Sequence, residues 1–373
     1  MTIIVCDKLQ KDRGGAEKVL KELCRILAPV IIYTTTVDNI DQWKHELGVS
    51  KIITPIWGRF FRNRQLWFIF YPLICLLYSI EKISTKDFVF VYSSSAGKFI
   101  NIKSKKRLLY TNYPARGIFY PETFFKSNAI KKLMTTLVKI FIKLEKKQYD
   151  KFQHIYCISK STQLALYEKC KVESKVINCP ISAHWFDNFE CQVTEDVNFK
   201  SKYILISRLT KWKNLDFIFQ YFENQSLNKL TIIGTGELFN KYKNLYTKNC
   251  SFLGFVEENN LRKIISQHRA LIFPTKQEWG LPLIEANACG LPVIALDSDA
   301  VVETQIIAGN DDHNRGCTAI VYKNNQITDL DDAIFKFDKY IWNKGEIISN
   351  ASRFSPDVFA KKILNIVDLN DYK

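Results

Sequence analysis

Residues 270–296 constrain the fold of this chain more than any other stretch. The run begins with Ala270 to Phe273, four apolar residues that stop at a proline, as a buried parallel strand does. A polar loop follows, and Pro282 suits the first turn of a helix because its missing N–H is not needed there. Gly290 is placed to end that helix before a second apolar run, 291–296. The stretch therefore predicts a strand–loop–helix–strand unit of an α/β protein.

The loop and helix N-terminus of this unit form a potential anion site. Unused N–H groups and the helix dipole both favour a phosphate there, and Gly280 allows close backbone approach of a ligand. Glu285 is expected in the first turn of the helix, where it would accept hydrogen bonds from a pair of ligand hydroxyls. A strand–loop–helix unit without any ligand explains the spacing equally well.

A cationic loop precedes this unit along the chain. Tyr203 to Ser207 predicts a strand, and the loop after it carries Arg208 and Lys213. Two cations at the carboxyl end of a strand can converge on one pyrophosphate, Arg as a planar fork and Lys as a point charge. Such a loop alone is usually a solvated surface, and agreement with the loop at 277–285 favours a shared site. Farther on, Gly234-Thr235-Gly236-Glu237 predicts only a tight turn.

The N-terminal half begins with a comparable pattern. Thr2 to Cys6 predicts a strand, Gly14-Gly15 ends a polar loop, and residues 16–27 carry apolar side chains at helical spacing. These elements form a second potential anion site, although a plain strand-to-helix turn is a strong alternative for two glycines alone. A later predicted strand, Leu108 to Thr111, leads into Asn112.

The charge and cysteine content limit the partners. Fifty-three Lys and Arg against 38 Asp and Glu leave a formal charge of +15, which favours an anionic partner such as a nucleotide or a phospholipid. No RNA-binding motif or zinc-finger spacing is visible, so nucleic acid is disfavoured. None of the ten cysteines forms a Cys-x-x-Cys pair, which disfavours a metal site. Buried thiols in a reducing cytosol are therefore expected.

Two segments bear on membrane contact. Residues 66–80 are the most apolar run, but they number about fifteen where a spanning helix needs about twenty, so a core or interfacial helix is predicted. Phe125 to Tyr149 predicts a basic amphipathic helix, which either packs on its domain as a solvated helix or lies on anionic lipid. We expect a cytoplasmic protein, with peripheral attachment to the cytoplasmic face of a membrane through this helix and the cations Arg59, Arg62 and Arg64.

The central stretch resembles the donor loop of the retaining glycosyltransferases of family 4 (group 1), which have the GT-B fold. The family pattern is Glu-x-Phe-Gly-Leu-Pro-x-x-Glu-Ala-x-Ala-x-Gly. The second Glu of this pattern falls on Glu285, the first falls on Gln277, and Glu278 is out of register by one. The full run reads Gln277-Glu278-Trp279-Gly280-Leu281-Pro282-Leu283-Ile284-Glu285-Ala286-Asn287-Ala288-Cys289-Gly290.

Three further segments carry the resemblance. Arg208, Lys213 and Asn214 match the motif Gly-Arg-Leu-x-x-x-Lys-Asn, and Gly14-Gly15-Ala16-Glu17 matches Gly-Gly-x-Glu. Related mannosyltransferases carry Tyr-x-His-x-Pro-x-Arg after an N-terminal strand. This chain has Asn112 at the His position, and agrees with the pattern at Tyr110, Pro114 and Arg116.

The alternation of strands and helices in both halves predicts an α/β protein with two doubly wound parallel sheets. The resemblance implies that these are the two Rossmann-like domains of a GT-B fold, facing a cleft. The acceptor-side domain would span 1–185 and the nucleotide-sugar domain 200–352. The final segment, 353–373, would be a helix that crosses back to the first domain.

The resemblance also implies an activity: retaining transfer of a hexose, with mannose favoured, from a GDP- or UDP-sugar to a glycan or lipid-linked acceptor. Arg208 and Lys213 would neutralise the departing pyrophosphate, which is most effective in a water-excluded site. No metal or other cofactor is implied, because these cations replace it. The implied catalytic set is Arg208, Lys213, Gln277 and Asn112, and the implied donor-binding set is Gly15, Arg208, Lys213, Gln277, Glu278, Gly280, Leu281 and Glu285.

The roles within these sets differ. Glu285 would hold the ribose hydroxyls, and Gly280 and Leu281 would offer backbone N–H groups to sugar or phosphate. Gln277 and Asn112 would touch the hexose. Because both of these positions are amides here, two alternatives stay open: a non-catalytic sugar-nucleotide binder, and a GT-B epimerase or hydrolase that needs no glycosyl acceptor.

Overall fold

The computed structural model of the chain describes residues 2–10, 14–63, 66–67, 70–112, 114, 142–187, 201–309 and 316–371. The chain divides into two compact units. The first comprises Met1–Pro180 together with Pro356–Lys373, and the second comprises Ile181–Ser355. Among the helices within these described ranges, none has the length and apolar character needed to cross a membrane.

The first unit is built on a parallel sheet of seven strands. These strands are β1 (Thr2–Cys6), β2 (Ile31–Thr34), β3 (Lys51–Ile53), β5 (Phe88–Tyr92), β7 (Arg107–Thr111), β8 (His154–Cys157) and β9 (Lys175–Val176). Their order is β3-β2-β1-β5-β7-β8-β9, and two short strands, β4 (Lys82–Ile83) and β6 (Asn101–Ile102), pair separately. All five residues of β5 are buried, and its sequence is accordingly a continuous run of apolar and aromatic residues.

The described helices of the first unit include α1 (Gly15–Leu27), α2 (Ile40–Leu47), α3 (Tyr71–Ile80), α4 (Lys160–Ala165), which continues as a π-helix over Leu166–Cys170, and α12 (Pro356–Asp371). The final helix, α12, packs against α1, so the end of the chain belongs to the same unit as its beginning. A 3₁₀ segment, Ile56–Phe61, packs on α3: the Trp57 and Tyr78 ring centroids are 6.2 Å apart.

The second unit is built on a parallel sheet of six strands: β10 (Lys202–Ile206), β11 (Lys229–Ile233), β12 (Cys250–Gly254), β13 (Ala270–Phe273), β14 (Val293–Leu296) and β15 (Ala319–Tyr322). Their order is β12-β11-β10-β13-β14-β15. The helices between and after them are α5 (Asp216–Glu223), α6 (Phe239–Leu245), α7 (Glu258–Ile265), α8 (Leu281–Ala288), α9 (Asp299–Thr304), α10 (Ile327–Lys339) and α11 (Lys344–Ser352).

Alternate residues of β10 belong to different apolar cores, one on each face of this sheet. Tyr203 and Leu205 lie in a cluster with residues of α5 and α10, whereas Ile204 lies in a cluster with residues of α7 and α8. Side chains along a strand point alternately to opposite faces, so helices cover both faces of the sheet. This is the doubly wound arrangement that the sequence predicts.

The central stretch forms β13, α8 and β14, as predicted. Gly290 ends α8 in the left-handed conformation, with φ +73°. Its N–H donates to the Asn287 carbonyl at 2.8 Å, and the N–H of Leu291 donates to the Ala286 carbonyl at 2.9 Å. This is the Schellman arrangement, which satisfies carbonyls that the helix end would otherwise leave without partners.

The predicted basic helix, Phe125 to Tyr149, lies mostly outside the described residues. In its described end, Glu145 and Tyr149 are buried while Leu144 is exposed. Leu144, one of the apolar residues of the predicted amphipathic helix, is thus not part of the core. The buried side is polar because a lysine of the core, Lys98, pairs with the carboxylate of Glu145.

Candidate functional site

The predicted donor loops follow two adjacent strands of the second unit. Strand β10 has β11 on one side and β13 on the other, so the order of strands reverses there. In open α/β sheets, ligands bind outside the carboxyl ends of the strands at such a switch point. The loop after β10 carries Arg208 and Lys213, and the loop after β13 carries Gln277. The topology thus brings both loops to the same edge of one sheet.

The loop after β10 has a defined conformation. Lys211 to Lys213 form a 3₁₀ turn, which Asn214 closes in the left-handed region with φ +48° and an N–H bond to the Lys211 carbonyl at 3.2 Å. Asparagine tolerates this region better than most residues, which gives a backbone reason for the Lys-Asn pair of the motif. Arg208 is exposed, whereas the Lys213 side chain is buried with its ammonium 4.1 Å from the centre of the Trp212 ring.

The glycines after β11 hold this cationic loop, a role that the prediction of a tight turn missed. A Cβ at Gly234 would lie 2.0 Å from the Ser207 carbonyl oxygen, and a Cβ at Gly236 would lie 2.4 Å from that of Leu209. The backbone N–H of Leu209 donates to the Thr235 carbonyl at 2.9 Å. Only residues without a side chain allow the two loops to approach this closely.

Gln277 is fixed from two sides in the loop after β13. Its side-chain amide donates to the hydroxyl of Thr275 at 2.6 Å, and its backbone carbonyl accepts from the N–H of Ala300 at the start of α9, at 3.1 Å. Thr275 is buried and Gln277 is half-buried. With its N–H₂ group oriented by Thr275, the amide oxygen is available as an acceptor.

Gly280 precedes α8, and Leu281 is its first residue. The backbone N–H groups at a helix start are not used by the helical ladder, so both residues retain the predicted capacity to donate to an anion. The glycine itself is required by packing, because a Cβ there would lie 2.9 Å from the Phe273 ring and 3.0 Å from the Leu283 side chain. Crowding inside the protein is thus sufficient to explain why residue 280 is glycine.

Glu285 is the fifth residue of α8, so its predicted place in the first turn is wrong. The error comes from the helix start, since α8 already begins at Leu281. Glu285 is only 3% exposed and lies among buried neighbours from Leu283 to Ala288. Any ligand contact must therefore reach its carboxylate through a small opening. Glu278, at the neighbouring out-of-register position, is half-buried.

In the first unit, Gly15 is the first residue of α1 and follows the cap residue Gly14. The carboxylate of Glu17 accepts a hydrogen bond from the Gly14 N–H at 2.8 Å. A carboxylate at this position is favoured by the helix dipole. The predicted anion site at this helix start is thus partly satisfied by the chain's own Glu17.

Asp7, directly after β1, organises the loop after β5. Its carboxylate accepts hydrogen bonds from the hydroxyl of Ser93 at 2.5 Å and from the backbone N–H groups of Ser94, Ser95 and Gly97, at 2.9, 3.1 and 2.8 Å. Sequence reasoning missed Asp7, because the residues that it contacts are far away along the chain. The only local signal is an acidic residue at the carboxyl end of the first strand.

Asn112 is held in place by three neighbours. The hydroxyl of Tyr92 donates to Oδ1 of Asn112 at 3.0 Å, the Asn112 N–H donates to Ser94 Oγ at 3.1 Å, and Thr162 Oγ1 donates to the Asn112 carbonyl at 2.8 Å. Burial raises the pKa of Tyr92 well above its usual value, so the hydroxyl remains a donor. The amide nitrogen of Asn112 is then the group that can face a ligand.

A buried ion pair contacts the loop after β5, which positions Asn112. Lys98 Nζ and Glu145 Oε1 are 2.6 Å apart, and both side chains are fully buried. Lys98 also donates to the Ser94 carbonyl at 3.1 Å. Burial raises the pKa of Glu145, and the Lys98 ammonium opposes that rise. This pair ties residues 142–149 to the loop that positions Asn112.

The other residues of the Tyr-x-His-x-Pro-x-Arg pattern are Tyr110, Pro114 and Arg116. Tyr110 is fully buried and donates its hydroxyl to the Ile177 carbonyl at 2.8 Å, so it serves the core. Pro114 is buried, and Arg116 lies outside the described residues. Across the described part of the chain, no group of three or more His, Cys, Asp or Glu side chains is arranged to hold a metal ion.

Comparison with known proteins agrees with this architecture. Residues 193–339 match the family model of the glycosyl transferases group 1. No curated protein sequence matches the chain. Among solved structures, the chain is similar to Alr3699/HepE from Anabaena in complex with UDP and glucose, with 14% identity over 99% of each chain and a TM-score of 0.67.

The chain is similar to two further solved structures over all or nearly all of its length. Sucrose-phosphate synthase from Thermosynechococcus elongatus is 13% identical over 99% of each chain, with a TM-score of 0.71. The apo form of the lipopolysaccharide outer core galactosyltransferase WaaB is 15% identical over 100% of each chain, with a TM-score of 0.61. The chain has the α/β fold of these GT-B proteins, built from Rossmann-like units, and together with the family match this supports a glycosyltransferase.

Proposed function

We propose that the chain is a retaining glycosyltransferase that moves a hexose from a nucleotide-diphosphate sugar to a glycan or lipid-linked acceptor. One observation carries this proposal: the loop with Arg208 and Lys213 and the loop that leads into α8 follow adjacent strands at the switch point of one sheet. Two cations and a helix N-terminus at one sheet edge are suited to a pyrophosphate.

The chemistry assigned to these residues is electrostatic. Negative charge builds on the pyrophosphate as it leaves, and Arg208 with Lys213 would stabilise that charge in the transition state. Gln277 and Asn112 are amides, which exchange no protons at neutral pH, so neither can be a general base. The proton of the acceptor hydroxyl would then pass to the departing phosphate, while the two amides orient the hexose.

The nucleotide and sugar are proposed as UDP-glucose or GDP-mannose. The structure of HepE contains UDP and glucose, which supports testing a uridine donor first. The agreement of Tyr110, Pro114 and Arg116 with the mannosyltransferase pattern supports GDP-mannose. WaaB, which shares the fold, is a lipopolysaccharide outer core galactosyltransferase, and this supports a glycan or lipid-linked acceptor.

A thermal-shift panel of GDP, UDP, ADP and their sugars tests donor binding, because a ligand that binds the folded state raises its stability. Product analysis with the stabilising donor then distinguishes a glycoside from free sugar. Arg208→Ala and Lys213→Ala should each reduce transfer by at least about tenfold, or roughly 1.4 kcal/mol. Folded variants with unchanged kinetics would remove the donor-site assignment.

Glu285 requires a separate measurement, because its proposed ribose contact exists in both donor and product. Glu285→Ala should weaken binding of the free nucleoside diphosphate as well as of the intact sugar nucleotide. Calorimetry measures both affinities directly. Since Glu285 is buried, a Glu285→Gln variant of the same shape controls for repacking of α8. Unchanged diphosphate affinity in both variants would exclude Glu285 from the site.

A non-catalytic sugar-nucleotide binder is the second candidate, and the amides at Asn112 and Gln277 favour it. A screen that gives donor binding without turnover, with activity restored in an Asn112→His, Gln277→Glu double variant, would establish this candidate. Release of free sugar without an acceptor would instead indicate a hydrolase, and a changed sugar on the nucleotide would indicate an epimerase.

A further inference from the structure

Helix α3 exposes apolar side chains along one face. Phe70, which precedes the helix, and Leu73, Leu76 and Ile80 within it are all exposed, with Leu76 at 60% and Ile80 at 67%. Their spacing of three and four residues places them in one line along the helix. The opposite side, which includes Ile74 and Cys75, is buried in the core.

Charged residues do not occur anywhere in the sequence of this helix, Tyr71–Ile80. A surface helix of a water-soluble domain normally carries polar residues on the side away from the core, whereas a helix that is apolar all round is buried or meets lipid. Apart from Ser79, whose hydroxyl donates to the Leu76 carbonyl at 2.6 Å, the exposed face of α3 is apolar, which indicates that another surface covers it.

The neighbouring 3₁₀ segment, Ile56–Phe61, continues this surface. It packs beside α3 through the Phe61 and Phe70 rings, whose centroids are 5.9 Å apart. Ile56 and Phe60 are largely exposed. We define the apolar face as the six exposed side chains of these two elements: Ile56, Phe60, Phe70, Leu73, Leu76 and Ile80.

The charges around the apolar face are mostly positive. Residues 47–80 contain no Asp or Glu but include Arg59 and Arg62, which are exposed. Glu81, directly after α3, is half-buried and accepts a hydrogen bond from the Trp57 ring N–H at 3.2 Å. The side chain of Ile142 packs on the same core cluster as α3, so the exposed lysines that follow it, Lys143 and Lys147, belong to the same region of the unit.

We propose that the apolar face is the surface through which this protein lies on an anionic lipid bilayer. Its aliphatic and aromatic side chains would enter the boundary between headgroups and acyl chains, while the arginines contact anionic headgroups. A second copy of the chain is a poorer occupant, because a two-fold interface pairs the same mostly cationic surface with itself and supplies no excess of opposite charge. The apolar face lies on α3 and the 3₁₀ segment rather than on the predicted basic helix, although Arg59, Arg62 and the lysines at the end of that helix contribute to both. The proposal does not depend on the proposed transfer activity.

Flotation of the full chain with phosphatidylglycerol-containing and purely phosphatidylcholine vesicles tests this proposal. Wild-type protein should float with the anionic vesicles. Leu76→Gln/Ile80→Gln should lower the vesicle partition coefficient by at least about tenfold, since each buried CH₂ group contributes about 0.8 kcal/mol. Arg59→Gln/Arg62→Gln should lower it by about tenfold or more at low salt and have little effect at high salt.

The matched control is Leu227→Gln/Ile341→Gln, which removes two aliphatic side chains that are 75% and 81% exposed in the second unit. Its partition coefficient should equal that of the wild type. Equal flotation of the Leu76→Gln/Ile80→Gln variant and the control would overturn the proposal and assign any binding to another segment. A concentration-dependent dimer in sedimentation that this variant abolishes, without flotation of the wild type, would assign the face to a second copy instead.

Discussion

The carboxylate of Glu237 accepts a hydrogen bond from the backbone N–H of Lys211 at 3.1 Å. This bond joins the loop after β11 to the 3₁₀ turn that presents Lys213. Gly234 and Gly236 also approach the loop after β10 closely. These contacts fix the backbone of the loop that carries Arg208 and Lys213, the two residues proposed to bind the pyrophosphate. The side chains of the donor site are therefore positioned by residues that need not touch the donor themselves.

Gly236→Ala should reduce transfer by at least about tenfold, roughly 1.4 kcal/mol in the barrier, because the added Cβ forces the loop that carries Arg208 and Lys213 away. We also expect a stability loss of about 1–3 kcal/mol. Steady-state kinetics and urea unfolding measure the two effects. The control is Gly48→Ala, where φ is +64° but no atom lies within 4 Å of the added Cβ, so only backbone strain is introduced. Equal kinetics for the two variants would rule out positioning by the glycine.

Tyr92→Phe should reduce transfer severalfold, since loss of one hydrogen bond to Asn112 costs about 1 kcal/mol. The ring remains packed on Tyr110, with centroids 5.8 Å apart, so stability should change little. A kcat effect that exceeds the KM effect would indicate an interaction strengthened in the transition state. If kcat and KM both match the wild type, the orientation of Asn112 does not depend on Tyr92.

The amide at residue 112 also predicts a pH profile. Asn112 cannot ionise, so the transfer rate should show no titration between pH 6 and 7 that depends on this residue. An Asn112→His variant should gain a titration near the ordinary imidazole pKa of about 6.5. Rate measurements on both proteins with one saturating donor test this. If the wild-type transfer rate titrates between pH 6 and 7 and the Asn112→Ser variant loses this titration, the prediction is contradicted.

The sequence predicted the elements whose signal is local. The apolar run at 270–273 predicted β13, the proline and glycine at its two ends predicted α8, and the motif residues predicted the switch-point loops. Local patterns suffice here because both faces of these strands are buried and because helix ends use particular residue types.

The features that the sequence did not predict depend on distant partners. The bonds of Asp7 to Ser93 and Gly97 join residues that meet only after β1 and β5 have paired. The burial of Glu145 was not predicted, because its partner Lys98 is far away along the chain. The place of Glu285 within α8 was misjudged because helix starts are uncertain by a residue or two from sequence alone.

Lys98→Met should destabilise the first unit by about 3–5 kcal/mol, because it leaves the carboxylate of Glu145 buried without its cation. A Lys98→Met/Glu145→Leu double variant should recover much of this loss, since apolar replacement of a buried pair is often neutral. Urea unfolding followed by far-UV circular dichroism compares the three proteins. Asp338→Asn is the control: Asp338 lies at the surface 2.6 Å from Arg269 and should contribute no more than about 1 kcal/mol. A loss for Lys98→Met as small as that of the control would contradict the inferred burial.

His268 connects α7 to the sheet of the second unit. Its Nδ1 lies 2.7 Å from the Ile264 carbonyl, which can only accept, so Nδ1 carries the hydrogen. Its Nε2 then accepts from the hydroxyl of Thr231, also at 2.7 Å. Burial is the largest cause that lowers the pKa of His268 from 6.5 to about 4. The folded protein therefore favours the neutral imidazole far more than the unfolded chain does.

This shift predicts an acid-sensitive contribution to stability. Because the folded-state pKa is depressed, the contribution is complete above about pH 6.5 and declines as the pH falls toward 4, by about 3 kcal/mol in total. His268→Gln does not titrate in this range, so its free energy of unfolding should fall less steeply between pH 7 and 4.5 than that of the wild type. Carboxylates titrate in both proteins, so the difference between the two slopes isolates His268. Parallel stability curves would show that the imidazole has the same pKa in the folded and unfolded states.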